Sequence, residues 1–177
     1  WVTEWGPIGH WEMPQTEWGA PIEMTSTEKA DVYWRLYREN IRPLLGPIVG
    51  SYAFLWGQKQ ERTPTWYGMF VDTGESTQTV DVMYRIWNDG EWPENRAPEI
   101  SSFSLNAQNA HQNIRLRPGR EYRARVRALD RDRDDLSYRW ELKPESQATE
   151  VGGDFENAIA NLDVGLDGQN SDRVRFS

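Results

Sequence analysis

One glutamate near the start of the chain has a position from which it could act on a ligand. Glu4 lies in residues 1–7, WVTEWGP. Alternating Val and Trp followed by Gly-Pro predict the end of a β-strand and a turn, so Glu4 would stand where the strand ends. A carboxylate at the end of a barrel strand, among aromatic rings, is the nucleophile that retaining glycoside hydrolysis requires. A solvated loop glutamate has the same signature, so spacing alone leaves both interpretations open.

Several tryptophans in or beside loops could form flat surfaces on which sugar rings stack. These residues are Trp11, Trp18, Trp56 and Trp66. Each could instead be a core residue, because indole rings bury a large apolar area. For Trp34 and Trp87, on predicted helix faces, we expect core positions. Glu61 is a further candidate for substrate contact, with a salt-bridged corner beside Arg62 as the alternative.

The residue types argue against metal or cofactor chemistry. The chain has no cysteine, which excludes a disulfide framework and a thiolate metal site. His10 and His111 fall in different halves of the chain, so we expect no histidine-based metal site. Residues 130–135, DRDRDD, have alternate acids but lack the turn glycine and distal glutamate of a calcium loop. A solvated hairpin turn is favoured there, with calcium as the alternative, and we expect no cofactor.

Charge narrows the class of partner. The 177 residues carry a formal net charge of -8, which disfavours nucleic acid bound through its phosphates and an anionic membrane surface. Arg123, Arg125 and Arg127 form a basic stripe, but Glu121 and nearby aspartates offset it. No run approaches the roughly 18 apolar residues of a membrane span. A neutral polar substrate such as a carbohydrate fits better, and the oligomeric state is left open.

The first half of the chain reads as strand, helix, strand, helix. The apolar run at residues 48–56, IVGSYAFLW, predicts a strand buried on both faces. Thr25 and Glu28 form a capping box at the head of a helix that runs to about Leu45. A second helix is predicted at residues 77–87. The two strands should be parallel, and ligands of such folds bind beyond the carboxyl ends of the strands. The second helix should bury an apolar face composed of Val80, Met83, Tyr84 and Trp87.

The second half has a period of two. Strands are predicted at residues 100–105, 122–128 and 136–142, and another begins near Val174. This pattern indicates an antiparallel sandwich of immunoglobulin-like type, short of its final strands, with Trp140 in its core. The Pro-rich segment 92–98 should be an extended linker with few contacts. We therefore predict two domains, at residues 1–94 and 95–177.

The first domain also resembles a known family. Thr-Glu-Trp-Gly at residues 3–6 and GSYAFLW at residues 50–56 resemble strands seven and eight of clan A glycoside hydrolases, especially family 2. The resemblance implies the C-terminal βα units of a TIM barrel. By this similarity Glu4 would be the nucleophile and Trp56 a platform of the sugar subsite. The general acid/base of that clan ends strand four, which would lie upstream. Two βα units cannot close a barrel, so we expect this chain alone to be inactive.

A second resemblance concerns the sandwich. Residues 130–140, DRDRDDLSYRW, look like the Asp-rich turn and Tyr-x-Trp strand of polycystic-kidney-disease (PKD) type domains, which are extracellular and often appended to carbohydrate enzymes. Together the resemblances imply an extracytoplasmic retaining glycoside hydrolase or transglycosylase that acts on an oligosaccharide or polysaccharide. The alternatives are a non-catalytic carbohydrate-binding protein and a cell-surface structural protein.

Overall fold

A computed structural model describes residues 1–148 and 153–177, in which a βαβα unit is followed by an antiparallel sheet. The first unit contains β1 (Val2–Trp5), α1 (Ser26–Leu36), β2 (Ser51–Ala53) and α2 (Gln78–Trp87). The antiparallel sheet contains β3 (Glu99–Leu105), β4 (Tyr122–Leu129) and β5 (Arg173–Phe176), in that order. No helix in the described ranges is long and apolar enough to cross a bilayer.

The strands β1 and β2 pair in parallel, and this part of the prediction is confirmed. Val2 opposes Ser51 and Trp5 opposes Ala53, with an irregularity between the two pairs. The connection between the strands passes through α1, which packs against α2. Because parallel strands end at the same edge of a sheet, the segments after Trp5 and Ala53 emerge side by side.

A close backbone approach joins these two segments. The Phe54 amide donates a hydrogen bond of 2.8 Å to the Trp5 carbonyl, and the Tyr33 hydroxyl of α1 donates to the Phe54 carbonyl. Gly6 passes directly beside that carbonyl. A Cβ atom at Gly6 would overlap the Phe54 oxygen and would lie 3.0 Å from the Tyr33 hydroxyl. The geometry after β1 therefore requires glycine, because no side chain fits between the two segments.

The apolar run at residues 48–56 forms a shorter and more exposed element than predicted. Only Ser51–Ala53 has strand geometry, and the chain turns immediately afterwards. Val49 is 76% exposed, and Tyr52 is also more than half exposed. The prediction of a strand buried on both faces is therefore wrong, because Val49 and Tyr52 lie at the surface. In the part of the chain that the structure describes, β2 also has a single neighbouring strand.

Capping determines where α1 begins, as predicted. The Thr25 amide donates to the Glu28 carboxylate at 2.7 Å, and the Glu28 amide donates to the Thr25 hydroxyl at 3.3 Å, which confirms the capping box. The α-helix ends at Leu36, earlier than predicted. Helical turns of other types continue through Tyr37–Ile41 and Arg42–Leu44. Pro43 lies in the last of these turns and has no amide hydrogen with which to continue an α-helical ladder.

The core of the first unit lies between α1 and α2. Its buried members are Ala30, Tyr33, Met69, Val82 and Met83. Trp34 packs partly buried against this cluster, and the Arg85 guanidinium lies 4.3 Å from the centre of its ring. Of the predicted apolar face of α2, Met83 is buried and Val80 packs partly buried against the cluster, as predicted. Trp87 is 61% exposed and Tyr84 is also exposed, so the core position of Trp87 and the place of Tyr84 on the buried face are wrong. Val82 is buried beside Met83.

The strands β3, β4 and β5 form where the period-two pattern predicts them. Phe103 opposes Val126, and Ala124 opposes Val174. Ala124 and Val174 are buried, whereas the residues that alternate with them on β4 and β5 are arginines at the surface. The sheet therefore has one apolar and one basic face.

The predicted strand at residues 136–142 is not formed. Exposure alternates along it as the pattern predicts, but no ladder joins it to the described strands. Trp140 is half-buried instead of fully buried. Its ring stacks on Phe103 with centroids 5.9 Å apart, and its indole N–H donates to the Ser171 carbonyl at 2.8 Å. Trp140 thus contacts β3 through its ring and the turn before β5 through its indole N–H.

Segment 92–98 makes more contacts than the extended linker that the sequence predicts. The Arg96 guanidinium lies 3.9 Å from the centre of the Trp92 ring. The Arg96 amide donates to Asp132 at 2.7 Å, and the Ala97 amide donates to Asp81 of α2 at 2.8 Å. The prediction of few contacts is wrong. The segment is extended and forms no regular secondary structure, so its amides are free to bond carboxylates on either side.

Asp81 should make the stability of the protein depend on pH. Burial raises the pKa of its carboxyl group, against the opposing effects of the Ala97 hydrogen bond and the Arg96 charge. A carboxyl group with a raised folded pKa contributes stability that is full below its unfolded pKa, about 3.9, and is lost as pH rises through the folded pKa. Asp81→Asn removes the charge and keeps an acceptor for the Ala97 amide. We expect its thermal midpoint to exceed that of the wild type at neutral pH.

Thermal melts between about pH 3 and pH 7 test this expectation, since the two midpoints should converge towards acid as the wild-type carboxyl group takes up its proton. Asp31→Asn, at an exposed position of α1, is the matched control. A midpoint difference for Asp81→Asn that stays constant across the pH range would contradict the prediction.

Candidate functional site

An open groove lies at the carboxyl ends of the parallel strands. It encloses about 490 Å³. Its polar and aromatic lining includes Glu4, Trp11, Glu12, Lys59, Glu61 and Tyr67. Strand β1 supplies Glu4 at its exposed end, and the loops after β1 and β2 supply the others. The structure thus brings Glu4 together with two of the predicted substrate-contact residues, Trp11 and Glu61.

Trp11 forms an aromatic wall of the groove. It is 58% exposed, and its indole ring packs over the backbone of Gly9, where a Cβ atom would lie 2.6 Å from the ring. His10 meets the same ring edge to face, with centroids 4.9 Å apart. Glu12 closes this turn, since its amide donates to the Gly9 carbonyl at 2.9 Å. Local contacts therefore hold the ring in place while most of its surface stays accessible.

A buried group of charged and polar side chains forms another wall of the groove, next to Trp11. The Glu61 carboxylate accepts a hydrogen bond of 2.6 Å from the Lys59 ammonium, and its other oxygen lies 3.4 Å from His10 Nε2. Glu61 and His10 are both buried. Burial, and then the charge of Arg62, lower the pKa of His10, although Glu61 opposes them. Glu61 is therefore a salt-bridged residue whose partner is Lys59 and not Arg62.

Tyr67 and Trp66 contact His10 and hold it in this wall. The Tyr67 hydroxyl accepts from the His10 amide at 3.3 Å, and burial raises the pKa of Tyr67 to about 12. Trp66 is only 2% exposed; its indole N–H donates to the Ile8 carbonyl at 3.1 Å. Its ring lies edge-on to His10, with centroids 5.9 Å apart. Trp66 therefore positions His10 and has no open face for a sugar.

The two remaining predicted tryptophans lie outside the lining of this groove. Trp56 is 56% exposed, and its ring meets Phe70 and Trp87 at centroid distances of 5.1 and 5.7 Å. Trp18 is also exposed and has the Arg115 guanidinium 5.1 Å from its centre. The structure places neither ring beside Glu4.

The downstream half of the chain also reaches the groove. Arg62 has a positive φ of 62°, and its amide donates to the buried Glu156 carboxylate at 3.0 Å. Its guanidinium donates to the Ala148 carbonyl. Gly153 completes the groove lining beside Lys59. The loop that bears Lys59 and Glu61 is therefore fastened to residues of the predicted second domain.

Sequence reasoning missed three of the side chains that build this site, namely His10, Lys59 and Tyr67. Opposite charges two residues apart make the Lys59–Glu61 pair readable from sequence. His10 carries no such signal, because it precedes Glu61 by about fifty residues and meets it only through the fold. In the described part of the chain, no cluster of three or more acidic, histidine or cysteine side chains could hold a metal ion.

The Asp-rich turn at residues 130–135 satisfies its own backbone. The Asp130 carboxylate accepts from the Asp132 amide at 2.8 Å and from the Asp134 amide at 3.1 Å. This is the Asx arrangement of a tight turn.

Comparison with known proteins gives no family to which the chain can be assigned. No family model matches it. No curated protein matches it significantly.

Proposed function

We propose that this chain carries the nucleophile of a retaining glycoside hydrolase or transglycosylase that acts on an oligosaccharide or polysaccharide. One observation carries the proposal: Glu4, at the carboxyl end of a parallel strand, shares an open groove with the exposed ring of Trp11. Carboxylates at this end of parallel strands are where barrel enzymes place their catalytic groups. On this proposal residues 1–94 are the last βα units of a barrel, and residues 95–177 are an immunoglobulin-like accessory domain.

The chemistry of Glu4 would proceed in two steps. A carboxylate oxygen of Glu4 bonds to the anomeric carbon while the bond to the leaving oxygen breaks, and a general acid protonates that oxygen. Water or a sugar hydroxyl then attacks the same carbon, loses its proton to the same group acting as base, and releases Glu4. Glu61 is not suited to this second role, because its carboxylate is buried and held by Lys59. By the family resemblance the acid/base belongs to another barrel strand.

Exposed apolar side chains around β1 and β2 support the barrel part of the proposal. Trp1 and Tyr52 stack at a centroid distance of 5.8 Å and an interplanar angle of 10°, and both are exposed. Val49, on the segment that leads into β2, is also exposed. Exposed large apolar side chains grouped on one element often mark a surface that packs against something else, and the neighbouring strands of a closed barrel would cover these.

Covalent trapping in the complete protein that contains this chain tests the role of Glu4. A 2-deoxy-2-fluoro glycoside with a good leaving group should leave an ester on the nucleophile, because fluorine slows both formation and hydrolysis of the ester while the good leaving group speeds only its formation. We expect the intact mass to rise by one fluorosugar and the modified peptide to contain Glu4. The Glu4→Gln variant is the control and should stay unmodified. A label on Glu12 would contradict the assignment.

A non-catalytic carbohydrate-binding site is the second candidate. It is favoured because the ion pair with Lys59 removes Glu61 as a possible acid/base in the groove. Among the described residues, Glu4 and Glu12 are then the groove carboxylates that are not held in an ion pair. This candidate predicts that the complete protein binds an oligosaccharide but never acquires the covalent label. The same labelling experiment, accompanied by a binding measurement, therefore separates the two functions.

A further inference from the structure

One face of the antiparallel sheet is built largely of arginines, and we call it the arginine face. Its basic members are Arg123, Arg125, Arg127, Arg173 and Arg175. Alternate residues of a strand point to the same side, which places the three arginines of β4 together and the two of β5 together. Ser102 and Ser104 of β3 share this side, since they oppose Arg127 and Arg125.

The strand register arranges these side chains as a grid. Arg125 lies between Ser104 on one neighbouring strand and Arg173 on the other. Arg123 opposes Arg175. Side chains on one face repeat about every 6.8 Å along a strand, and strands lie about 4.8 Å apart. A shallow groove of about 770 Å³ runs over the grid.

Acidic neighbours neutralise only part of this charge. Asp172 lies 3.5 Å from Arg125 and 3.4 Å from Arg173. Asp167 pairs with Arg175, and Glu121 lies 3.0 Å from Arg123. Among the described residues, five cations against three carboxylates leave an excess of two positive charges. This excess stands on a chain whose net charge is -8, so the arginine face differs in sign from the protein as a whole.

The side chains that line this groove favour some classes of anionic partner over others. Among the residues that the structure describes, its lining contains no aromatic side chain, whereas single-stranded nucleic acid is held on aromatic stacking platforms. Protein interfaces also centre on aromatic and apolar anchors, and the apolar residues in this lining are small: Ala107, Ala124 and Val174. The groove instead presents the planar guanidinium groups of its arginines and the hydroxyls of two serines. These groups match carboxylates and hydroxyls spaced along a polymer.

We propose that the arginine face binds a carboxylated polysaccharide, in which uronate groups meet the arginines and sugar hydroxyls meet Ser102 and Ser104. Carboxylate is favoured over sulfate because the face already pairs four of its arginines with three carboxylates of its own chain. The ligand would displace Asp172 and Asp167 from Arg125, Arg173 and Arg175. It would also bind Arg127, which has no acidic partner within 4 Å among the described residues. This site lies on the sheet and is independent of the role proposed for Glu4.

Binding of defined polymers to the full chain tests the proposal. Polygalacturonate is the probe, and dextran, dextran sulfate, poly-glutamate and oligo-dT are the comparators, measured by calorimetry at low salt. We expect polygalacturonate to bind most tightly and its affinity to fall as salt is added. The variant Arg123→Gln/Arg127→Gln/Arg173→Gln should bind at least about tenfold more weakly. It retains Arg125 beside Asp172, so it leaves that carboxylate paired.

A matched variant, Arg38→Gln/Arg117→Gln/Arg120→Gln, makes the same change in net charge at exposed positions elsewhere and should bind within about twofold of the wild type. Replacing the first three arginines by lysine keeps the charge and removes the planar guanidinium groups, so an intermediate affinity is expected and folding is less at risk. Equal losses in the two glutamine variants, unchanged affinity in the lysine variant, or tighter binding of any comparator would each overturn the proposal.

Discussion

Glu4→Gln should lower turnover of the complete protein by roughly 10³-fold or more while sugar binding persists. The amide keeps the shape of the side chain but cannot attack the anomeric carbon. Glu4 stands exposed at the end of β1, so the substitution should leave the fold intact. Steady-state kinetics with an activated glycoside give the turnover number, and calorimetry with an unreactive oligosaccharide gives the affinity.

Two further variants make the result specific to a nucleophile. In Glu4→Gly, azide should enter the vacated space, restore part of the turnover and give a product of inverted configuration. Glu12→Gln, in the same groove, is the control for a carboxylate without that role and should change turnover only a few-fold. If Glu4→Gln itself remains within a few-fold of the wild type, the assignment is wrong and Glu12 becomes the carboxylate to test.

Gly6→Ala should destabilise the protein by about 1 to 3 kcal/mol and should also weaken sugar binding. The added Cβ atom would overlap the Phe54 carbonyl oxygen, which is backbone and already accepts from the Tyr33 hydroxyl. The ends of β1 and β2 must then separate, and these ends carry the two sides of the groove. Thermal and denaturant unfolding measure the stability change, and calorimetry measures the binding change.

Gly50→Ala is the control for the loss of a glycine on the neighbouring strand segment. Its Cβ atom would meet nothing nearer than 3.7 Å and its φ lies outside the left-handed region, so a change within about 0.5 kcal/mol is expected. Equal destabilisation of the two variants would contradict the prediction, because the close approach at Gly6 would then not explain the loss of stability.

Local signals in the sequence were sufficient for much of the architecture. The capping box of Thr25 and Glu28 involves residues three apart, so its hydrogen bonds are decided before any tertiary contact forms. The alternation of arginines and small apolar residues in β4 likewise determines which face is buried. The βαβ order then requires parallel pairing of β1 and β2.

Signals of longer range were not readable. Whether Val49 and Tyr52 are covered depends on what packs against β2, which a hydrophobic run cannot specify. The wall of the groove depends on His10 and Glu61, which are distant in sequence and lie together only because Trp66 and Tyr67 support the loop. The barrel and the sandwich stay predictions, because short strand motifs do not determine how many strands surround them.

The hydroxyl of Thr27 has a consequence for how the two halves of this protein can be exchanged. It donates to the Gln78 side chain of α2 and accepts from the Ile100 amide of β3 at 2.7 Å, while Asp81 accepts from the Ala97 amide. A recombination event near residue 94 would separate the Thr27 and Asp81 acceptors from their donors, the amides of Ile100 and Ala97. The sheet is therefore not an independent module. If it were fused to another protein, the helices of that protein would need a threonine and an aspartate at matching positions to bond the Ile100 and Ala97 amides.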